Sequence, residues 1–269
     1  MSPDVLYQQI QRKGSFLCVG LDSDPDRIPK HLFDFDDPIL EFNRQIIAAT
    51  QDFAVAYKPN LAFYEARGAK GWETLEKTLD LIPDEIMTIA DAKRGDIGNT
   101  SRLYAQAFFE TFDFDAVTVA PYMGKDSVGP FLEFEDKWVF LLALTSNPSA
   151  QDFQYRQEKG EFLYQQVVKR AVSWQREYAG HLGFVVGATR AESIGEIRAL
   201  APDNYFLVPG VGAQGGDLQA VCEHGQSAQG GLLINSSRGI IFAGQGENFA
   251  QEAGKAAQSL QERMQNLLK

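Results

Sequence analysis

Two acids and an amine fall within one short run, Asp91-Ala92-Lys93-Arg94-Gly95-Asp96-Ile97-Gly98-Asn99-Thr100. Residues two apart on an extended backbone share a face, so Asp91 and Lys93 can act on the same group. An amine set among carboxylates is an ammonium, because opposite charges at close range favour the charged form. It then serves as a general acid or an electrostatic clamp, not as a Schiff-base nucleophile, which needs a free amine. Aspartates facing an anionic substrate repel it, by roughly 4 kcal/mol for one pair at about 4 Å and an effective dielectric of ~20. Decarboxylation relieves that repulsion. The carboxylate leaves as neutral carbon dioxide, and the carbanion left behind takes a proton from the adjacent ammonium. Neither a metal nor an organic cofactor is needed. Ground-state repulsion is a contested source of catalysis, so transition-state stabilisation by Lys93 carries the expectation. Taken alone, the same spacing also describes a surface ion pair at a strand end.

These residues need a scaffold that aims them at one point. The apolar run Ile86-Met87-Thr88-Ile89-Ala90 reads as a buried strand delivering Asp91 and Lys93 at its carboxyl end, with Arg94-Gly95-Asp96 breaking it. Asn99-Thr100-Ser101 offers capping residues for a helix over 100–111. Seven further runs read the same way, at 16–21, 53–57, 116–120, 138–144, 182–186, 205–208 and 231–234. Helical periodicity appears at 3–13, at 38–51 through Ile39, Phe42, Ile46 and Ile47, at 71–81, at 160–178 after a polar insertion, and from 248 onward. Strands this uniformly apolar are buried on both faces, as in parallel sheets. Eight of them alternating with helices predict a single (β/α)8 TIM barrel of α/β class, with residues 1–269 as one domain. An open doubly wound sheet is the rival, weakened by the lack of G-x-G-x-x-G after the first strand.

The candidate reactive residues fall just after strands: Asp22, Lys58, Asp91 with Lys93, Ser146 and Arg238. Those ends form one face of a barrel, where active sites sit. The first three strands are neighbours in such a barrel, so Asp22, Lys58, Asp91 and Lys93 converge at its mouth. A salt-bridge network that merely closes the barrel is the bland alternative. Val208-Pro209-Gly210-Val211-Gly212-Ala213-Gln214-Gly215-Gly216-Asp217 follows the seventh strand and lets backbone amides approach an anion. Asn235-Ser236-Ser237-Arg238-Gly239 after the eighth adds hydroxyls and a guanidinium. Loops after strands seven and eight are the usual phosphate site of such barrels. The ligand is therefore expected to carry a phosphate there and its reacting part towards strands one to three.

Composition narrows the field. The net charge of −11 speaks against a nucleic-acid surface, though not against a local anion site. The 44% apolar content supports a sizeable core. Cys18 and Cys222 form no metal spacing and no disulfide framework. His31, His181 and His224 lie beside no second candidate ligand, so neither a zinc site nor a histidine triad is expected. The start of the chain shows no signal peptide, and no run reaches membrane length. A soluble, cytoplasmic protein without membrane or nucleic-acid partners is expected.

The run from Asp91 to Thr100 resembles the signature of the orotidine 5′-phosphate decarboxylase family. Val19-Gly20-Leu21-Asp22, Tyr57-Lys58-Pro59-Asn60, the glycine loop from Val208 to Gly216 and Asn235-Ser236-Ser237-Arg238-Gly239 are similar to it too. Lys93-Arg94-Gly95-Asp96 and the insertion after the fifth strand resemble the bacterial second group (type 2). The resemblance runs from the first strand to the eighth, without a departure at a catalytic position. It implies decarboxylation of orotidine 5′-phosphate to uridine 5′-phosphate, the last step of de novo pyrimidine nucleotide synthesis. It implies that Lys93 protonates C6 of the pyrimidine, that Asp91 lies beside the departing carboxylate, and that Lys58 holds Asp91 and the ribose. Asp22 would bind ribose hydroxyls and Ser146 the pyrimidine ring. Gln214 and Arg238 would hold the phosphate, with the loop closing over it, and Pro209 would be a rigid turn beside the base. Asp96 and Thr100 would reach the neighbouring subunit's site in an obligate homodimer. One rival is a related metal-dependent sugar-phosphate decarboxylase, which shares D-x-K-x-x-D but needs a further acidic ligand at a nearby strand end; Lys58 ends the second strand here. The other is a catalytically silent phosphate-binding barrel.

Overall fold

Runs such as Leu17-Cys18-Val19-Gly20-Leu21 and Trp138-Val139-Phe140-Leu141 hold no internal proline and bury nearly every residue, so they pair on both edges as parallel strands. The structure is a computed structural model and describes residues 1–188, 191–211 and 216–268. Its sheet is the expected (β/α)8 barrel, closed in the order of the sequence. The strands are β1 (Leu17–Leu21), β2 (Ala54–Pro59), β3 (Met87–Arg94), β4 (Ala116–Val119), β5 (Trp138–Leu144), β6 (His181–Val186), β7 (Tyr205–Pro209) and β8 (Leu232–Ser236).

The chain divides into two compact units. The first comprises residues 4–92 and 235–268. In it β1 pairs with β2 so that Gly20 faces Lys58 and Leu21 faces Pro59, and β2 pairs with β3 through Ala56–Met87 and Tyr57–Thr88. Helix Pro38–Thr50 starts where Asp37 accepts from the Leu40 amide at 3.3 Å, with proline in its first turn. Its Phe42 stacks on Phe249 of helix Phe249–Gln265 at 5.2 Å, and so packs the C-terminal helix onto this unit.

The second unit comprises residues 1–3 and 93–234. Here β4 pairs with β5 from Ala116–Trp138 to Val119–Leu141, β5 pairs with β6, and β6 pairs with β7 through Gly183–Tyr205. The polar insertion after β5 folds into a short helix, Ala150–Phe153, and a two-residue antiparallel hairpin, Gln157–Glu158 with Glu161–Phe162. Helix Leu163–Gln175 follows.

The elements named from the sequence differ mainly at their ends, and helices Leu61–Glu65, Lys125–Leu132, Ala191–Leu200 and Leu218–Gly225 were not among them. β3 runs on to Arg94 because Ala120 N–H donates to the Arg94 carbonyl at 2.8 Å. The next helix starts at Gly98 with Ile97 as its cap and no capping side chain, so Asn99-Thr100-Ser101 lies inside its first turn. It ends in a π turn, Ala107–Thr111, that buries both Phe108 and Phe109. Among the described residues no helix is long and apolar enough to cross a membrane.

Candidate functional site

In the first unit, three charged residues stand at or beside the carboxyl ends of β1, β2 and β3. Lys58 donates to Asp91 Oδ2 at 2.8 Å, and the two side chains are only 6% and 11% exposed. Burial pulls the Lys58 ammonium down, but Asp91 and Asp22 more than offset it, and its pKa lies above the ordinary lysine value. Asp22 Oδ1 is buried with no hydrogen-bond partner among the described residues. A buried carboxylate oxygen left unsatisfied is destabilising, so this atom is fitted to accept from a ligand's donor.

The backbone around Asp22 is fixed from both sides. Tyr64 O–H donates to the Leu21 carbonyl at 3.3 Å, and Ser23 O–H donates to Asn43 Oδ1 at 2.5 Å. The Asn43 amide in turn donates to Tyr64 Oη and Thr78 Oγ1, each at 3.0 Å. Ser23, Asn43, Tyr64 and Thr78 are all buried. Sequence reading missed this network, whose polar residues come from the loop after β1 and from three separate helices; Asn43 inside an apolar helical face was the signal available.

Below the cluster, Cys18 is fully buried and its thiol is pushed up to about 12, chiefly by burial. It is inert packing rather than a nucleophile. Gly20 is demanded by the loop after β8: a Cβ there would lie 1.8 Å from Ser237 Oγ. Ser237 therefore reaches β1, and Arg238, exposed, opens the short helix Arg238–Ile241. A cavity of about 410 Å³ in this unit lies at the amino ends of β2 and β3, lined by Lys13, Asp52 and Glu85 among others, away from these residues.

In the second unit, Lys93 is exposed and sits at φ +46°, the left-handed region that a lysine enters only with strain. Its amide donates to Thr118 Oγ1 of β4 at 2.9 Å, and Thr118 is buried. At that φ, the alternation that put Asp91 and Lys93 on one face no longer holds as a rule; the turn of the backbone sets the direction of Lys93. Asp96 accepts from the Ile97 amide at 2.8 Å, and Thr100 is exposed on the following helix.

The ends of β5, β6 and β7 meet in the same unit. A Cβ on Gly187 would lie 2.9 Å from the Ser146 amide, so the glycine lets the loop after β5 close against the end of β6. Gly187 N–H donates to the Leu144 carbonyl at 2.8 Å, and Ala188 N–H to the Pro209 carbonyl at 3.1 Å. Ser146 and Pro209 are thus both tied to the β6 end. Gln214 lies outside the described residues. Among the described residues no group of three or more His, Cys, Asp and Glu is placed to hold a metal ion.

The family model described as orotidine 5′-phosphate decarboxylase / HUMPS matches residues 15–253. An orotidine 5′-phosphate decarboxylase of Bacteroides fragilis (strain YCH46) is 53% identical over 274 aligned residues, covering 100% of this chain and 99% of the relative. One from Christiangramia forsetii is 55% identical, covering 98% of this chain and 97% of the relative. The solved OMP decarboxylase of Leishmania donovani superposes with a TM-score of 0.82 at 37% identity, over 97% of this chain and 100% of that one. With a matching model over nearly its whole length and relatives above half identity, the chain belongs to the orotidine 5′-phosphate decarboxylase / HUMPS family.

Proposed function

We propose that this chain is a carboxy-lyase that converts orotidine 5′-phosphate to uridine 5′-phosphate in pyrimidine nucleotide synthesis, with Lys93 as the proton donor. The bond from C6 to the carboxylate breaks, carbon dioxide leaves, and the electron pair left on C6 takes a proton from the Lys93 ammonium. Asp91 stands two residues before Lys93 in β3 and repels the substrate carboxylate. Its own charge is kept in place by Lys58, at 2.8 Å. That buried pair beside an unsatisfied Asp22 oxygen is the observation that carries the reading. A pair that only closed a barrel would leave no acceptor wanting a donor, whereas ribose hydroxyls supply one. Ser146 takes the pyrimidine, Pro209 borders it, and Gln214 and Arg238 take the phosphate. Remote phosphate binding then serves to assemble and dry the reacting end.

The reading includes a homodimer in which Asp96 and Thr100 serve the neighbouring site. Ile97, Leu103, Tyr104, Tyr122 and Met123 support it, all large, apolar and exposed in the second unit. Met123 and Tyr104 flank the Arg94-Gly95 turn: Met123 Cε lies 3.4 Å from where a Gly95 Cβ would be, and the Arg94 guanidinium lies 5.5 Å from the Tyr104 ring. Mixing Asp96→Ala with Lys93→Ala protomers is expected to restore activity, since one hybrid site carries neither change. No recovery after verified subunit exchange counts against a shared site.

The primary test follows the orotate absorbance band of orotidine 5′-phosphate with and without EDTA. Loss of the band in both samples is expected. Loss only without EDTA favours the metal-dependent sugar-phosphate branch of chemistry, and no loss with folded protein favours a silent binder.

A further inference from the structure

We infer that Gln154, supplied by the insertion after β5, is a positioning residue that holds Ser146 for the pyrimidine ring; this rests on the function proposed above. The Gln154 side chain grips Thr145, the residue before Ser146, at two points. Thr145 N–H donates to Gln154 Oε1 at 2.8 Å, and the Gln154 amide donates to Thr145 Oγ1 at 2.8 Å. The backbone amide can only donate, which fixes which way round the glutamine amide sits. Thr145 O–H then donates to Asn147 Oδ1 at 2.6 Å, on the other side of Ser146. Ser146 is therefore bracketed by a donor-to-acceptor chain running Gln154, Thr145, Asn147, in which each bond polarises the next.

The gripping residue is itself anchored. Gln154 N–H donates to the Ala150 carbonyl at 2.8 Å, and its carbonyl accepts from the Tyr164 amide at 3.1 Å. Tyr164 is buried, and its hydroxyl donates to Glu196 Oε2 at 2.7 Å. From the other direction the missing Gly187 side chain lets the Ser146 backbone seat against β6. The insertion thus reaches the two residues that flank Ser146 through hydrogen bonds that start at Gln154.

The test compares wild type, Gln154→Ala, Gln154→Glu, Ser146→Ala and the double variant Gln154→Ala/Ser146→Ala. The readouts are kcat and KM for orotidine 5′-phosphate and competitive inhibition by uridine 5′-phosphate and by ribose 5-phosphate, which lacks the ring. Gln154→Ala is expected to weaken uridine 5′-phosphate roughly tenfold, the scale of one hydrogen bond, and to leave ribose 5-phosphate unchanged. Gln154→Glu keeps an acceptor for the Thr145 amide and should stay within about threefold of wild type. The double variant should be no weaker than Ser146→Ala. Equal loss of ribose 5-phosphate affinity in the Gln154 variants, or additive loss in the double variant, overturns the inference while the function stands. Wild-type protein that leaves orotidine 5′-phosphate unchanged overturns both.

Discussion

Lys58 and Lys93 are two lysines near strand ends, held by opposite means. Lys58 is buried within β2, and its charge is fixed by the Asp91 carboxylate at 2.8 Å. Lys93 is exposed, and what is fixed is its backbone, turned to φ +46° and tied to Thr118 at 2.9 Å. The first unit positions by burying charge, which is rigid and intolerant of losing a partner. The second positions by hydrogen bonds to loop backbone, at Lys93 and again at Thr145 and Ala188.

The comparison breaks most sharply at the proposed proton donor. Lys93→Ala truncates an exposed side chain, so the denaturation midpoint is expected to move far less than in a variant of the buried Lys58–Asp91 pair, while kcat falls by at least ~10³-fold. Steady-state decarboxylation beside a urea melt checks both halves. A fully active variant would remove Lys93 from the chemistry, and a destabilised one would contradict the contrast drawn with Lys58.

Asp91→Ala should do the reverse on stability. Leaving the buried Lys58 ammonium without its partner is expected to cost about 3–5 kcal/mol, read as a shift of the urea midpoint, in addition to lost activity. The pair also sets a pH dependence. The folded-state pKa of Lys58 is raised above the ordinary lysine value, so in the window between the unfolded and folded values the native state binds more protons and stability falls as pH rises. Its contribution is full below about pH 10 and drains away through the folded value above that. Wild type should therefore lose stability on the alkaline side more steeply than Asp91→Ala. Parallel alkaline profiles would mean the pair contributes no linkage.

The barrel was legible because apolar, β-branched strands and strand-end polar residues are local signals, and all eight strands fall within a few residues of the expected positions. Asp22, Lys58 and Asp91 were legible for the same reason. The supports were not. Asn43, Tyr64 and Thr118 are single polar residues whose meaning lies in partners remote in the chain: Tyr64 meets Leu21 across 43 positions and Thr118 meets Lys93 across 25; Gln154 meets Thr145 across only nine, but inside an insertion without a periodic pattern. Nor does periodicity report a positive φ at a lysine, which is why a shared face for Asp91 and Lys93 was the natural expectation and the backbone turn was not.

Thr118→Val is the finest probe of that turn. Valine nearly matches threonine in shape and can be buried at this enclosed position, and the substitution takes away the acceptor for the Lys93 amide. A strained φ persists only while its surroundings enforce it; with the hydroxyl gone, the lysine backbone has one restraint fewer and the ammonium is aimed less consistently. One net hydrogen bond corresponds to about a fivefold fall in kcat. KM should hold, because the ribose, ring and phosphate contacts proposed above do not involve Lys93's amide. Thr118→Ser restores the oxygen and should recover the rate. A kcat unchanged in Thr118→Val, or equally lowered in Thr118→Ser, would mean that the turn at Lys93 is held by the strand ends alone, and that the two lysines differ less in how they are fixed than the bond from Thr118 suggests.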